Sequence, residues 1–224
     1  MATPIFQHGK NAFLAIGYDT SSTLATASAS GTTTLTITNG TSAITGESPI
    51  VNGGSTYGMF VGTVPVVLTA QPSGSTVAML SSATVSGTAL PMVNLSPYIN
   101  DISFPQAIES SETTTFSVAG VKTYIVGLKS YTVTFSGNYD GTANGLDKMM
   151  NDIQIYQNTA GQFVSFVYGP SDPGAFGTGS TSNASPKYYG QAILTKYDLK
   201  SSVSGVITFD GELQVTGAVT RSTI

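Results

Sequence analysis

The stretch Asn94–Gly141, NLSPYINDISFPQAIESSETTTFSVAGVKTYIVGLKSYTVTFSGNYDG, decides the fold class. Within it, Tyr131-Thr132-Val133-Thr134-Phe135-Ser136 alternates apolar with hydroxyl side chains, the period-2 pattern of a half-buried strand. Almost every residue of the stretch suits an exposed, pairing β-strand and none suits catalysis, so it reads as a surface for self-association. Glu109–Lys129 mixes threonines, glycines and isolated aromatics without helical period. That mixture predicts a long connection between strands, and long ordered connections in compact domains are usually functional.

Composition agrees with this reading. Charged residues make up 9% of the 224-residue chain, against roughly 25% in an ordinary soluble domain. Glycine, at 25 residues, together with abundant Thr and Ser points to many short strands joined by turns. With 40% apolar residues and a positive mean hydropathy, the chain is built to pack rather than to stay disordered. The length suits one large β domain or two small ones. Without cysteine there is no disulfide framework and no thiolate metal site. The start, MATPIFQHGKNAF, lacks the pattern of a signal peptide, and no apolar run is long enough to span a membrane as a helix. The expectation is synthesis in a cytoplasm, in soluble form.

Between Thr20 and Ile99 the only charged side chain is Glu47. Inside this segment Thr33–Thr38, Gly58–Gly62, Val64–Ala70 and Ser75–Leu80 are strand-like runs separated by turn residues. We expect residues 19–90 to be an inserted β module or enlarged hairpin, with residues 1–18 and 91–224 forming the main domain. Ser21–Thr32, dominated by small polar residues, could instead be a flexible linker. One helix is predicted at about 145–157, where Leu146, Met149, Met150 and Ile153 recur at helical spacing; Asn144 is its N-cap and Gly161 follows its end. Then come Gln162–Tyr168, apolar on both faces, a Gly/Ser-rich loop from Gly169 to Pro186, and Lys187–Leu199. In the last strand, Val206–Thr216, Ile207, Phe209, Leu213 and Val215 point one way and Thr208, Asp210, Glu212, Gln214 and Thr216 the other.

Catalytic patterns are weak. Asp210 and Glu212 stand roughly 7 Å apart on one strand face, a separation a glycosidase could use, but no third acid extends the pair and Trp, the usual sugar platform, is absent. His8 is the lone histidine and builds no metal site by itself. No Gly-x-Ser-x-Gly elbow, phosphate-binding loop or dinucleotide fingerprint occurs. With eight basic and twelve acidic residues and a single arginine, Arg221, the chain should repel nucleic acid. The expectation is a protein that is no enzyme and needs neither cofactor nor metal.

His8–Phe13 (HGKNAF), Leu95–Pro105 (LSPYINDISFP), Glu112–Phe116 (ETTTF) and Lys122–Asp140 (KTYIVGLKSYTVTFSGNYD) resemble, in order and spacing, the tail tube (major tail) proteins of long-tailed bacteriophages. Phe166–Pro170 (FVYGP), Tyr188–Gly217 and Arg221 extend the resemblance, while residues 19 to about 90 depart from it. The resemblance implies a mainly β, tail-tube-like sandwich or barrel with the helix at its flank. Six copies would share one inner β-barrel, and the rings would stack into a tube that conducts DNA into the host. It places the protein in the virion, with further copies of itself, the tape-measure protein, the tail terminator and tail-tip proteins as partners; double-stranded DNA passes through unbound. It implies that Phe104, Glu109, Glu112, Phe116 and Tyr124 contact a neighbouring subunit or ring, unless Phe104 and Phe116 tuck into their own core. Asp210 and Glu212 are candidates for an acidic lumen wall, or for an outward solvated face. A capsid decoration protein, a fibre-like module or a sugar-binding sandwich would share the composition.

Overall fold

The computed structural model describes residues 12–18, 26–38, 50–51, 55–69, 75–113, 121–140, 146–160, 163–170, 186–201, 203 and 205–222. His8, Asn144 and Gly161 lie outside them. The protein is mainly β, a sandwich-like arrangement with one helix among the described residues. In chain order the strands are β1 Phe13–Gly17, β2 Thr26–Thr38, β3 Ile50–Val51, β4 Ser55–Val61, β5 Val64–Leu68, β6 Thr76–Asn94, β7 Ile99–Ser103, β8 Gln106–Glu112 and β9 Tyr124–Asn138. The helix α1, Leu146–Ala160, precedes β10 Val164–Gly169, β11 Lys187–Lys200 and β12 Thr208–Ser222. Antiparallel pairing runs in the order β3-β4-β5-β6-β1-β10-β11-β12-β9-β7, with β2 added to β6 and β8 to β9.

Burial explains the order. Strands β1 and β10 sit mid-sheet and are covered on both faces, which is why FLAIG and VSFV are continuously buried and, but for Ser165, carry no polar side chain. Leu14 and Ile16 of β1 and Val164 and Phe166 of β10 face one core, with Leu146, Met150 and Ile153 of α1 and Phe135, Phe209 and Leu213 of the sheet. Phe13, Ala15 and Val167 face a second, smaller core with Phe60, Leu90 and Met92. A third cluster joins β2, β4, β5 and β6 through Leu35, Ile37, Met59, Val66, Leu68 and Met79. Ser165, buried between strands of the sheet's centre, is satisfied by donating to the Gly62 carbonyl at 2.8 Å.

Helix and last strand follow their patterns. Leu146, Met150, Ile153 and Tyr156 are buried along one stripe of α1. In β12, Phe209, Gly211 and Leu213 are buried while Asp210, Glu212 and Gln214 are not, and the strand continues to Ser222.

Two expectations differ from what is found. The predicted long connection Glu109–Lys129 is in its described part a hairpin arm: β8 pairs the first half of β9 from Gln106↔Tyr131 to Glu112↔Tyr124. Both faces of this arm are exposed, so no burial alternation marks its sequence as strand. Thr26–Thr32, read as a possible linker, belongs to β2 and is held by β6 through Thr26↔Thr88, Ser28↔Ser86 and Ser30↔Thr84. Strand β6 carries residues of all three cores.

Candidate functional site

Strands β7, β9, β12 and β11 lie side by side, and their registers line up rows of side chains. One row is Asp101, Ser136, Asp210 and Asp198; the next is Ser103, Thr134, Glu212 and Lys196. Residues directly opposite in adjacent strands share a sheet face, so Asp101, Asp198, Asp210, Glu212 and Lys196 all lie on one side. Lys200 joins them, opposite Thr208. The opposite side carries Ile102, Val133, Phe135, Phe209 and Leu213, and α1 covers it. None of the polar-face residues is buried; four carboxylates face two amines there.

Asp210 is ion-paired to Lys200. The hydrogen bond from Lys200 holds its carboxyl below the usual carboxylate range, against a smaller opposing effect of burial, and Lys196 adds to the lowering. Lys196 also pairs with Asp198 at 3.2 Å. Glu212 accepts a hydrogen bond from Thr195 Oγ1 at 3.2 Å. The polar face is therefore partly neutralised by lysines that the reading of β12 alone did not reveal. The period-2 order Lys196-Tyr197-Asp198-Leu199-Lys200 was the sequence signal for them.

Among the described residues, the part of β11 beyond Ala192 and the far side of β7 have open edges. Strand β11 pairs with β10 only up to Ala192, so Ile193–Lys200 has β12 as its sole neighbour among the described residues. On the other side, β7 and β8 follow one another along β9.

The five interface candidates fall in different places. Phe104, between β7 and β8, is half-buried, with its ring stacked on Tyr131 at 5.8 Å and tilted against Tyr188 at 5.2 Å and Tyr168 at 5.4 Å. Glu109 is exposed at a bulge of the arm, beside Gly127. Glu112 pairs with Lys122 at 3.1 Å and lies opposite Tyr124. Phe116 lies outside the described residues. Tyr124 is 58% exposed and is joined on the arm by Ile108, Ile125, Val126 and Leu128, the last two 79% exposed. These aliphatic side chains were not singled out from sequence, although the run Tyr-Ile-Val-Gly-Leu is apolar enough to have marked them.

Among the described residues no group of His, Cys, Asp and Glu could hold a metal ion, and no helix is long and apolar enough to cross a membrane.

No protein-family model and no curated protein matches the chain. Among solved structures it is similar to a chain from the tail of an empty gene transfer agent particle, obtained by helical refinement with C6 symmetry. The identity is 17%, the TM-score 0.41, and the match covers 56% of this chain and 82% of that one. A chain from the virion of a native gene transfer agent particle matches with 15% identity and a TM-score of 0.41, over 56% of this chain and 85% of that one.

Proposed function

We propose that the protein is a structural subunit of a phage-type tail, whose copies join in hexameric rings that stack into a tube. The observation that carries this is the four-stranded sheet β7-β9-β12-β11, polar on one face, packed on α1 by the other, and, among the described residues, open along β7 and along β11 beyond Ala192. Open edges invite pairing with other chains unless something closes them. Joining the β11 edge of one copy to the β7 edge of the next would extend the sheet from copy to copy, and closure of a ring would leave no edge free. Four strands from each of several copies make a barrel far wider than the eight-stranded kind that side chains fill. The polar face would line the channel and α1 would lie outside.

The channel wall would carry a small excess of carboxylates. DNA, with one negative charge per ~1.7 Å of axis, is held by lysine and arginine surfaces; a wall of hydroxyls and balanced charges lets it slide. On this reading the tube conducts genome DNA during ejection without binding it, and the protein acts in the virion alongside tape-measure, terminator and tip proteins. The arm, with Glu109, Glu112 and Tyr124, reaches a neighbouring copy. The segment within residues 19–90 is an added module on the outside of the ring, and no catalysis is involved. Negative-stain electron microscopy of the purified protein over a concentration series tests this. Hollow sixfold rings or tubes are expected; discrete trimers would overturn the reading in favour of a decoration or fibre protein.

A further inference from the structure

Pairing between β9 and β12 stops part-way along both strands. Thr208–Gln214 lies against Thr132–Asn138, and there the two part. Beyond the fork β9 continues as Tyr124–Tyr131, held only by β8, and β12 as Val215–Ser222, held only by β11, among the described residues. Two features keep the fork open. Gln214 fills its base, donating from Nε2 to the Tyr131 carbonyl at 3.1 Å. Gly217, at φ +72, bends β12 just past it, a conformation that costs glycine little and other residues more.

The fork leaves two free edges of equal length. An unpaired strand edge is a template for another strand. In such pairing the main-chain bonds supply affinity and the alternate side chains supply selectivity. Charged residues stand beside both edges: Lys129 on the free stretch of β9, with Glu109 of β8 alongside it, and Arg221 on that of β12. Glu109 sits next to Gly127, where a Cβ would stand 2.9 Å from its own Cβ, so at that one position of β9 no side chain stands between Glu109 and the free edge. Arg221 is the only charged residue on the free stretch of β12. Neither forms an ion pair among the described residues, whereas Glu112 and Lys122 of the arm satisfy each other.

We propose that the free β9 edge of one copy pairs with the free β12 edge of another, with Glu109 of the first set against Arg221 of the second. The contact joins two different surfaces, so it repeats without closing on itself unless the rotation between copies completes a ring. It deepens the tube reading, on which it rests for the direction of growth, by naming the edges that hold successive copies. The edges that would close a ring, on β7 and β11, are separate from it.

Sedimentation velocity on Glu109→Arg, Arg221→Glu and the double exchange tests the contact, with electron microscopy on the same samples. Each single variant should associate about tenfold more weakly than the parent, and the double should return to within about threefold; far-UV circular dichroism confirms that all three fold. Single variants that associate like the parent, or a double no better than the singles, overturn the contact. Charge-dependent association without sixfold rings would keep the contact and overturn the tube. A parent that stays monomeric at every concentration would overturn both.

Discussion

At the scale of single residues, the interface between sheet and helix holds a polar group whose protonation is tied to folding. The Tyr197 hydroxyl donates to Asp147 Oδ1 at 3.4 Å. Burial, and then the Asp147 carboxylate, push its pKa above the ordinary tyrosine value. A pKa raised on folding means that the stabilisation is complete below the unfolded value, about 10, and is lost as pH climbs toward the folded one. The urea midpoint should therefore fall as pH rises above about 10, and Tyr197→Phe should make that fall shallower. An unchanged slope would show that Tyr197 is not the group responsible. Gly211 matters through packing instead. It lies under the Phe135 ring, and a Cβ there would overlap that ring. Gly211→Ala should cost about 1–3 kcal/mol in urea unfolding, because a packed core resists added volume; a neutral result would mean that Phe135 can move aside.

At the scale of elements, what the sequence revealed depended on whether burial imprinted a period on it. Strand β12 and helix α1 each have one buried and one wet side; the helix was legible to within a few residues, and the strand except for its last six. Strand β10, buried on both faces, was legible as a short apolar run. The arm of β8 and β9 has two wet faces, so its pairing left no alternation, and Glu109–Lys129 looked like a connection. Thr26–Thr32 of β2 was obscured in the same way, since exposed Thr and Ser serve a strand and a linker equally well. The polar sheet face was half legible: Asp210 and Glu212 stood out, but the rows that bring Asp101, Asp198, Lys196 and Lys200 beside them depend on register across four strands. The same contrast separates stability from assembly. Ile153→Ala, in the core under α1, should cost about 2–4 kcal/mol by the cavity it leaves. Val126→Ser and Leu128→Ser on the exposed arm should stay within about 0.5 kcal/mol of the parent while weakening self-association in sedimentation. An arm variant that unfolds the protein would assign those side chains to the fold instead.

At the scale of the whole molecule, small charge differences become large because the assembly would repeat them. One copy presents four carboxylates and two lysines on its polar face, a weak field for a single chain in physiological salt. Around a closed ring the same excess is met in every copy, and along a stack in every ring, so a duplex in the channel would encounter a consistently repelling wall. Reversing the sign tests the orientation of the face directly. Asp101 and Asp198 are both exposed, so Asp101→Lys with Asp198→Lys should leave folding intact and turn the face basic. Assemblies of the parent should fail to retain double-stranded DNA at about 50 mM salt. Assemblies of the variant should retain it and release it steeply as salt rises, each phosphate contact adding about 0.9 to the slope of log affinity against log salt. The comparison requires pre-formed rings of both proteins, checked by microscopy, and DNA longer than the stack. Normal variant rings that ignore DNA would put the polar face on the outside of the ring, and the channel would then have to be lined by another side of the sheet.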